Sequence, residues 1–196
     1  DPAYVAQMEY LRDREEELRL RDVIVLTDTD GNSDREREVI GELQSRVDAL
    51  VVCAPRLPAE DIVQLAGDTP LVLVNRSSEE CDCVVADSED GIRQAIDYLV
   101  ALGHEHLAYV QGSPQSWSNA RRVEAIEQFC TSRNIQVDIL GWQQETLAGG
   151  NAAASSVIAT GATAVMTHND PMAIGVMNGV RAMGYAVPDD LSVIGI

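Results

Sequence analysis

The sequence predicts a doubly wound α/β protein. Short apolar runs rich in β-branched residues alternate with segments of helical period along most of the chain. Such runs are typical of parallel strands that helices cover on both faces, and the helical segments supply the connections that parallel strands need. Residues 102–112 read as a helix end, a turn at Gly103, a strand and a loop. That loop leads to Arg122, which we therefore expect near the carboxyl end of a strand, where open α/β sheets bind ligands.

The predicted elements follow one another in regular order. The first helix has an apolar stripe at Tyr4, Met8, Leu11 and Leu18, opposite a solvated acidic run at 13–17. Strands are predicted at 23–26, 49–53, 71–74, 84–86, 107–110, 137–140, 164–166 and 192–194. Helices are predicted at 3–21, 34–46, 59–66, 89–102, 118–133, 149–160 and 171–184.

Capping residues support these helix boundaries. Oxygen-bearing side chains that favour the N-cap position stand at three helix starts: Ser33 or Asp34, Ser88, and Asp170. Gly103 and Gly184 fit the position just past a helix end, where a left-handed backbone is common.

Composition limits the classes of protein that fit. With 196 residues, 45% of them apolar, the chain is long enough to bury a core as one domain or two small lobes. No apolar run is long enough to cross a bilayer, so no membrane partner is predicted. The 32 acidic residues outnumber 14 basic ones, all of them Arg, for a net charge of −18. So negative a surface repels phosphate backbones, and we do not expect this chain by itself to bind nucleic acid.

The sequence predicts no catalytic, metal or cofactor site. The four cysteines contain no Cys-x-x-Cys pair, and Cys81 and Cys83 fit two incidental thiols in a loop better than a zinc site. Reduced cytoplasm is the simplest compartment for such thiols. Nucleotide-binding glycine loops and the Gly-x-Ser-x-Gly elbow are absent from the sequence. His104, His106 and His168 are assigned to a turn, a helix end and a strand end, so we predict that the chain is not an enzyme.

Ordered motifs along nearly the whole chain resemble one family. They are Asp1-Pro2-Ala3-Tyr4, Thr29-Asp30-Gly31, Arg46-Val47-Asp48, Pro70 to Arg76, Val85-Ala86-Asp87 with Gly91, Leu102-Gly103-His104, Asn169 to Gly175, and Val187 to Gly195. Each is weak alone, but together and in this order they are specific. In these motifs the chain resembles the effector-binding core of the lactose/purine repressor (LacI/GalR-type) family of bacterial transcription regulators.

The resemblance implies two similar doubly wound lobes with parallel sheets, a periplasmic-binding-protein-like arrangement with an effector in the cleft. The N-terminal lobe would comprise residues 1–86 and the C-terminal lobe residues 87–196. A helix-turn-helix head and the first central strand are expected before Asp1. A stretch with an effector-binding Asp is expected after Ile196.

Arg122 is the leading candidate for holding the effector. The resemblance places it at the family's effector-binding Arg, and its guanidinium fork suits hydroxyls, a carboxylate or a phosphate. The alternative is a surface salt bridge with Glu124 or Glu127. We expect Arg122→Ala to abolish an effector response and leave folding nearly intact.

Polar side chains near other strand ends complete the candidate set. Asn75 and Asn169 each carry an amide that both donates and accepts, although Asn169 could instead cap the next helix. Ser116 and Ser118 flank Trp117 in the loop where relatives often contact their effector. Asn75 and Tyr4 on one lobe would face Ser116, Ser118, Arg122 and Asn169 across the cleft.

Aromatic platforms for a sugar or purine face match the family only in part. Tyr4 matches one member of the family's aromatic pair, but the other member is Ala3 here, and Trp117 is a second candidate. Counting back from Gly150, the position of the family's stacking aromatic falls on Glu145 rather than on Trp142.

The predicted function is therefore the effector-binding and dimerisation core of a cytoplasmic repressor that senses a sugar or nucleoside. Operator DNA would be bound through a head outside this chain, and a homodimer would match palindromic operators. The alternative is an exported solute-binding protein of a transporter, which uses the same two-lobe plan. The residues before Asp1 distinguish the two.

Overall fold

The computed structural model describes residues 24–196. Residues 24–30 form no helix or strand, and within them the backbone N–H of Asp30 donates to the Asp28 carboxylate at 2.8 Å. The predicted strand at 23–26 is therefore wrong for residues 24–26. An apolar β-branched run favours a strand, but only ladder hydrogen bonds to a neighbour make one. The predicted helix at 3–21, with Tyr4, lies outside the described residues.

In residues 31–196 helices and strands follow one another in the predicted order, with two successive strands at 71–74 and 82–84. The helices are α1 Ser33–Leu43, α2 Ala59–Ala66, α3 Glu89–Ala101, α4 Trp117–Ser132, α5 Leu147–Thr160 and α6 Asp170–Ala182. The strands are β1 Leu50–Cys53, β2 Leu71–Val74, β3 Asp82–Val84, β4 His106–Val110, β5 Gln136–Leu140, β6 Ala164–Thr167 and β7 Ser192–Gly195. No helix among them is long and apolar enough to span a membrane.

Two parallel sheets organise these elements. The first sheet has the order β1-β2-β3, and the second has the order β5-β4-β6-β7. In the second sheet β4 lies between β5 and β6. The connection from β5 to β6, which contains α5, therefore passes over β4. The predicted α/β class with parallel sheets is confirmed. The division into lobes at residue 86 stays a prediction.

The second sheet is covered on both faces, and alternation along its strands shows this directly. In β4, Ala108 and Val110 join one apolar cluster with Val157 of α5 and Val176 of α6. The residues between them point the other way, and Tyr109 packs in a second cluster on the α3 and α4 side. Fully buried strands of this kind are the reason for the continuous apolar runs in the sequence.

The first sheet packs one face against α1 and α2. Ile40, Ile62 and Leu73 are central to that cluster. Val51 and Val84 are more than 60% exposed on the described sheet. Coverage of both faces, predicted from the apolar runs, is thus seen here for one face only among the described residues.

Helix starts differ in detail from the predicted caps. Asn32, not Ser33 or Asp34, caps α1 by accepting from Asp34 N and Arg35 N at 3.0 Å each. Ser88 stands at the N-cap of α3, but its side chain makes no capping bond. The predictions missed by one residue because adjacent oxygen-bearing side chains are equivalent in sequence and only the backbone angles select between them. Gly103 and Gly184 follow helix ends with φ of +90° and +92°, as predicted.

Candidate functional site

Four of the predicted site residues line one cavity of about 610 Å³. They are Asn75, Trp117, Ser118 and Arg122. The cavity lies between the segment that follows β2 and β3 and the first turns of α4. Asp87, Glu89 and Glu124 also line it, so its wall offers both carboxylates and guanidinium groups.

Asn75 follows β2 directly, with a left-handed backbone at φ +57°. Its N–H donates to Val84 O at 2.8 Å, and its side-chain Oδ1 accepts from Ala86 N at 3.3 Å. Asn tolerates this backbone region better than most residues. Asn75 therefore joins the end of β2 to the segment that leads into α3.

Ser116 is buried and caps α4 rather than lining the cavity. Its Oγ accepts from Asn119 N at 3.3 Å, which satisfies one of the free donors at the helix start. Trp117 and Ser118, the first two residues of the helix, are consequently the ones presented to the cavity.

Arg122 of α4 binds the residue that follows β6. Its Nη1 donates to the backbone carbonyl of His168 at 2.5 Å and lies 3.3 Å from His168 Nδ1. Its Nε is buried and has no protein acceptor among the described residues. Glu124, the salt-bridge partner considered for Arg122, instead binds Arg121 at 2.5 Å.

Asn169 caps α6, the alternative role that its sequence position allowed. Its Oδ1 accepts from Met172 N, and its Nδ2 donates to the backbone carbonyl of Glu145, both at 3.0 Å. The predicted cap Asp170 is the first residue of the helix. Asn169 is not among the residues that line the cavity.

Glu145 is a functional candidate that the sequence marked only as a departure from relatives. One carboxylate oxygen accepts from Ser113 N at 3.0 Å and lies 3.7 Å from His168 Nε2. The other accepts from Arg56 Nη2 at 3.1 Å. Burial would raise the pKa of Glu145, but the Ser113 N–H and the Arg56 guanidinium outweigh it and hold the pKa below its usual value.

His168 is buried and stays neutral. Loss of solvent, with smaller contributions from the charges of Arg122 and Arg56, lowers its pKa to about 4 against the opposing effect of Glu145. With Nδ1 unprotonated, the ring accepts on the side of Arg122 and Tyr109, whose hydroxyl lies 3.4 Å away. Burial likewise raises the pKa of Tyr109.

Gly112 makes this packing possible. A Cβ built on Gly112 would lie 2.6 Å from the His168 ring and 2.9 Å from a Glu145 oxygen. Its N–H donates to Asn119 Oδ1 at 3.0 Å. The glycine in the loop after β4 therefore has a packing reason.

Arg56 and Arg76 lie near the site but were not among the predicted site residues. Arg56 stands in the loop after β1, where buried Glu36 accepts from the backbone N–H groups of Arg56 and Leu57 at 2.9 and 3.0 Å. Arg76 donates through Nη2 to Pro55 O at 2.9 Å and to Gln115 O at 3.0 Å. Arg76 ends the Asn-Arg motif, whereas no motif marks Arg56.

Metal-ligand chemistry finds no support in residues 24–196. No three His, Cys, Asp or Glu side chains there stand close enough to share an ion. All four cysteines in that part of the chain are free thiols.

Comparisons with known proteins agree with this geometry. The family model of the periplasmic binding protein-like domain matches residues 96–196. The transcriptional repressor PurR of Vibrio vulnificus is 26% identical over 186 residues, which are 88% of this chain and 54% of that protein. The chain thus spans about half the length of the curated relatives it matches.

Solved structures establish the same fold. A LacI-family regulator from Enterococcus faecium with bound ribose has a TM-score of 0.81 at 24% identity, covering 100% of this chain and 73% of that one. The dimeric Lac repressor with a C-terminal deletion has a TM-score of 0.81 at 23% identity, covering 96% and 71%. This chain therefore belongs to the periplasmic binding protein-like domain family, in the form found in the effector-binding cores of LacI/GalR-type regulators.

Proposed function

We propose that this chain is the effector-binding and dimerisation core of a transcriptional repressor that senses a small polar molecule, a sugar or a nucleoside. The observation that carries the proposal is the cavity beside Arg122. It occurs in a chain that aligns over 88% of its length with a transcriptional repressor, PurR of Vibrio vulnificus. Arg122, Asn75, Ser118 and Trp117 would contact the effector, with Tyr4, Ser116 and Asn169 as further candidates. Residues 1–86 and 87–196 would be the two lobes.

The chemistry of the cavity favours a neutral, hydroxyl-rich effector. The wall holds guanidinium groups, which can donate to the oxygen of a hydroxyl, and carboxylates, which can accept from its O–H group. Trp117 offers an apolar face on which a sugar or base could pack. The ribose in the Enterococcus faecium relative is of this class.

The relatives support a proposal for the partners. Operator DNA would be bound through a helix-turn-helix outside this chain, because a chain with net charge −18 repels phosphate backbones. A homodimer would present two such heads to a palindromic operator, and the Lac repressor neighbour is dimeric. Such a protein would work in the cytoplasm and catalyse nothing. An exported solute-binding protein is the less favoured alternative, since the curated relatives are transcriptional regulators.

A ligand screen followed by an operator assay tests the proposal. The full-length protein is melted with sugars and nucleosides, and a ligand at about 100 times its dissociation constant should add about 2.7 kcal/mol of apparent stability. Operator binding is then measured by fluorescence anisotropy against the concentration of that ligand.

We expect Arg122→Ala to lose the response, and Arg37→Ala to keep it, because Arg37 binds Asp61 instead. Arg37 does not line the cavity, so this control removes the same charge without altering the cavity wall. An operator affinity that no stabilising ligand alters would contradict the regulator function.

A further inference from the structure

Two arginines connect the first sheet to the second. Arg56, in the loop after β1, binds the Glu145 carboxylate between β5 and α5 at 3.1 Å. Arg76, just past β2, reaches the carbonyl of Gln115 at 3.0 Å. The partners are separated by 89 and 39 residues, so each bond closes a long loop of chain.

The Arg56–Glu145 pair is anchored on both sides, unlike an ordinary surface salt bridge. Glu36 fixes the backbone of Arg56, and Ser113 N–H fixes one oxygen of Glu145. The Arg56 and Glu145 side chains are only 15% and 26% exposed. Since the anchors already restrict both groups, pairing costs less side-chain entropy than it does between two free surface chains.

The two side chains nearest to Glu145 on the other side do not compete with Arg56 as its counter-ion. His168 faces the second side of Glu145 but is uncharged, so it does not replace Arg56 as counter-ion. Arg122, beyond His168, is committed to the His168 carbonyl. Glu145 thus directs its free oxygen to the opposite sheet.

We propose that Arg56 and Glu145 form an electrostatic clasp that holds the two sheets together before any effector binds. This goes beyond the proposed function, because it assigns a closed population to the ligand-free protein. An effector that requires the closed form would then bind more tightly the larger this population is.

The test measures the distance between the sheets in the full-length protein without ligand. Spin labels are placed on exposed Glu42 of α1 and Glu127 of α4 through non-cysteine chemistry, because the chain holds four cysteines. Double electron–electron resonance then gives the distance distribution. Wild type should show mainly the separation seen in this structure.

Two variants remove the pair, and the first of them is isosteric. Glu145→Gln keeps the oxygen that accepts from Ser113 N–H, and Arg56→Gln removes the guanidinium. Each should lower the ratio of closed to open protein about threefold to fivefold, the effect expected of a partly exposed ion pair. The double variant should shift it no further than either single variant, since all three lack the same bond.

Salt and a matched pair provide the controls. Raising the ionic strength from about 0.1 M to about 1 M should open wild type and leave Glu145→Gln unchanged, because the Debye length falls to about 3 Å. Arg37→Gln removes a 2.8 Å pair with Asp61 that joins α1 to α2 on the first sheet alone, and should not alter the distribution. Thermal melting checks that each variant is folded.

Several results would overturn the clasp. They are a wild-type distribution that is already open, single variants that leave it unchanged, additive shifts in the double variant, and insensitivity of folded wild type to salt. The salt titration needs no variant, so it decides the question even if Arg56→Gln fails to fold. None of these outcomes bears on whether the protein regulates transcription.

Discussion

Arg122 donates to the backbone carbonyl of His168 at 2.5 Å and so ties α4 to the end of β6. The sequence suggests a side chain free to serve a ligand, with a surface salt bridge as the alternative. The structure gives it a third role, in which a partly buried guanidinium satisfies a carbonyl of the core. The effects of its removal on ligand binding and on stability must therefore be measured separately.

Replacing Arg122 by Ala should lower the free energy of unfolding by about 1–3 kcal/mol, because the His168 carbonyl loses a charged donor. This departs from the expectation that folding would be nearly intact. Urea unfolding measures the loss, and the control Arg121→Ala should stay within about 0.5 kcal/mol of wild type. Equal losses in both variants would mean that the bond contributes nothing specific.

Acid should destabilise the fold through His168. Its pKa is about 4 when folded and its ordinary value is 6.5, so between these values the unfolded chain binds the extra proton. The free energy of unfolding should therefore fall as the pH drops from about 6.5 toward 4, by at most about 1.4 kcal/mol per pH unit.

Protonation of Glu145 lowers the free energy of unfolding further, but only at lower pH, since its folded pKa lies below its ordinary value of 4.5. His168→Asn should flatten the upper part of the curve, above pH 4.5. Nuclear magnetic resonance titration of the His168 ring gives the folded pKa directly. A midpoint near 6.5 in the folded protein would refute the assignment.

A methyl group at Gly112 should cost about 1–3 kcal/mol, the range for overpacking a filled site. The added Cβ would stand 2.6 Å from the His168 ring, which is itself buried and held by Arg122. Gly141→Ala is the matched control, because nothing lies within 4 Å of its added Cβ. Chemical denaturation of both variants should separate them clearly, and similar midpoints would argue against the tight packing.

Removing the cap of α6 should be costly, whereas removing the neighbouring carboxylate should not. Asn169→Ala loses the bond to Met172 N, for about 0.5–2 kcal/mol, and the bond to the Glu145 carbonyl as well. Asn169→Ser should recover the first part only, since a hydroxyl also caps helices. Asp170→Ala should cost less, about 0.3–1 kcal/mol from the helix dipole. The reverse order in thermal melts would restore Asp170 as the cap.

Much of the fold was readable because its signals are local. Strand β2 and helix α2 occupy the predicted residues 71–74 and 59–66, where Pro70 precedes the strand and Pro58 and Gly67 bracket the helix. Strand β3 lies at Asp82–Val84 rather than at 84–86, because register against β2 selects the paired residues and the apolar pattern does not. The run at 24–26 shows the same limit, since ladder partners are invisible to composition.

The candidate site also contains residues that the sequence located and residues that it did not. Trp117, Ser118 and Arg122 share one helix, and Asn75 follows the strand end that the pattern located, so their meeting at a cavity was predictable in kind. Arg56 and Glu145 are joined only by the folded chain, and no spacing rule connects residues so far apart. Asn169 was ambiguous in sequence because an amide before a helix serves a ligand or a backbone equally well.

The hydrogen bond between Asn75 Oδ1 and Ala86 N determines which hydrogen-bonding group of the Asn75 side chain remains available to the cavity. With that oxygen bound to the backbone, the NH₂ group of the amide would be the part of Asn75 left to a molecule in the cavity, which would have to offer an acceptor. Asn75→Asp would keep the backbone bond and present a carboxylate instead, inverting which hydrogen-bonding partners the position accepts. One side-chain rotation, fixed by the segment between β3 and α3, would thereby set the direction of the hydrogen bond that a molecule in the cavity forms with Asn75.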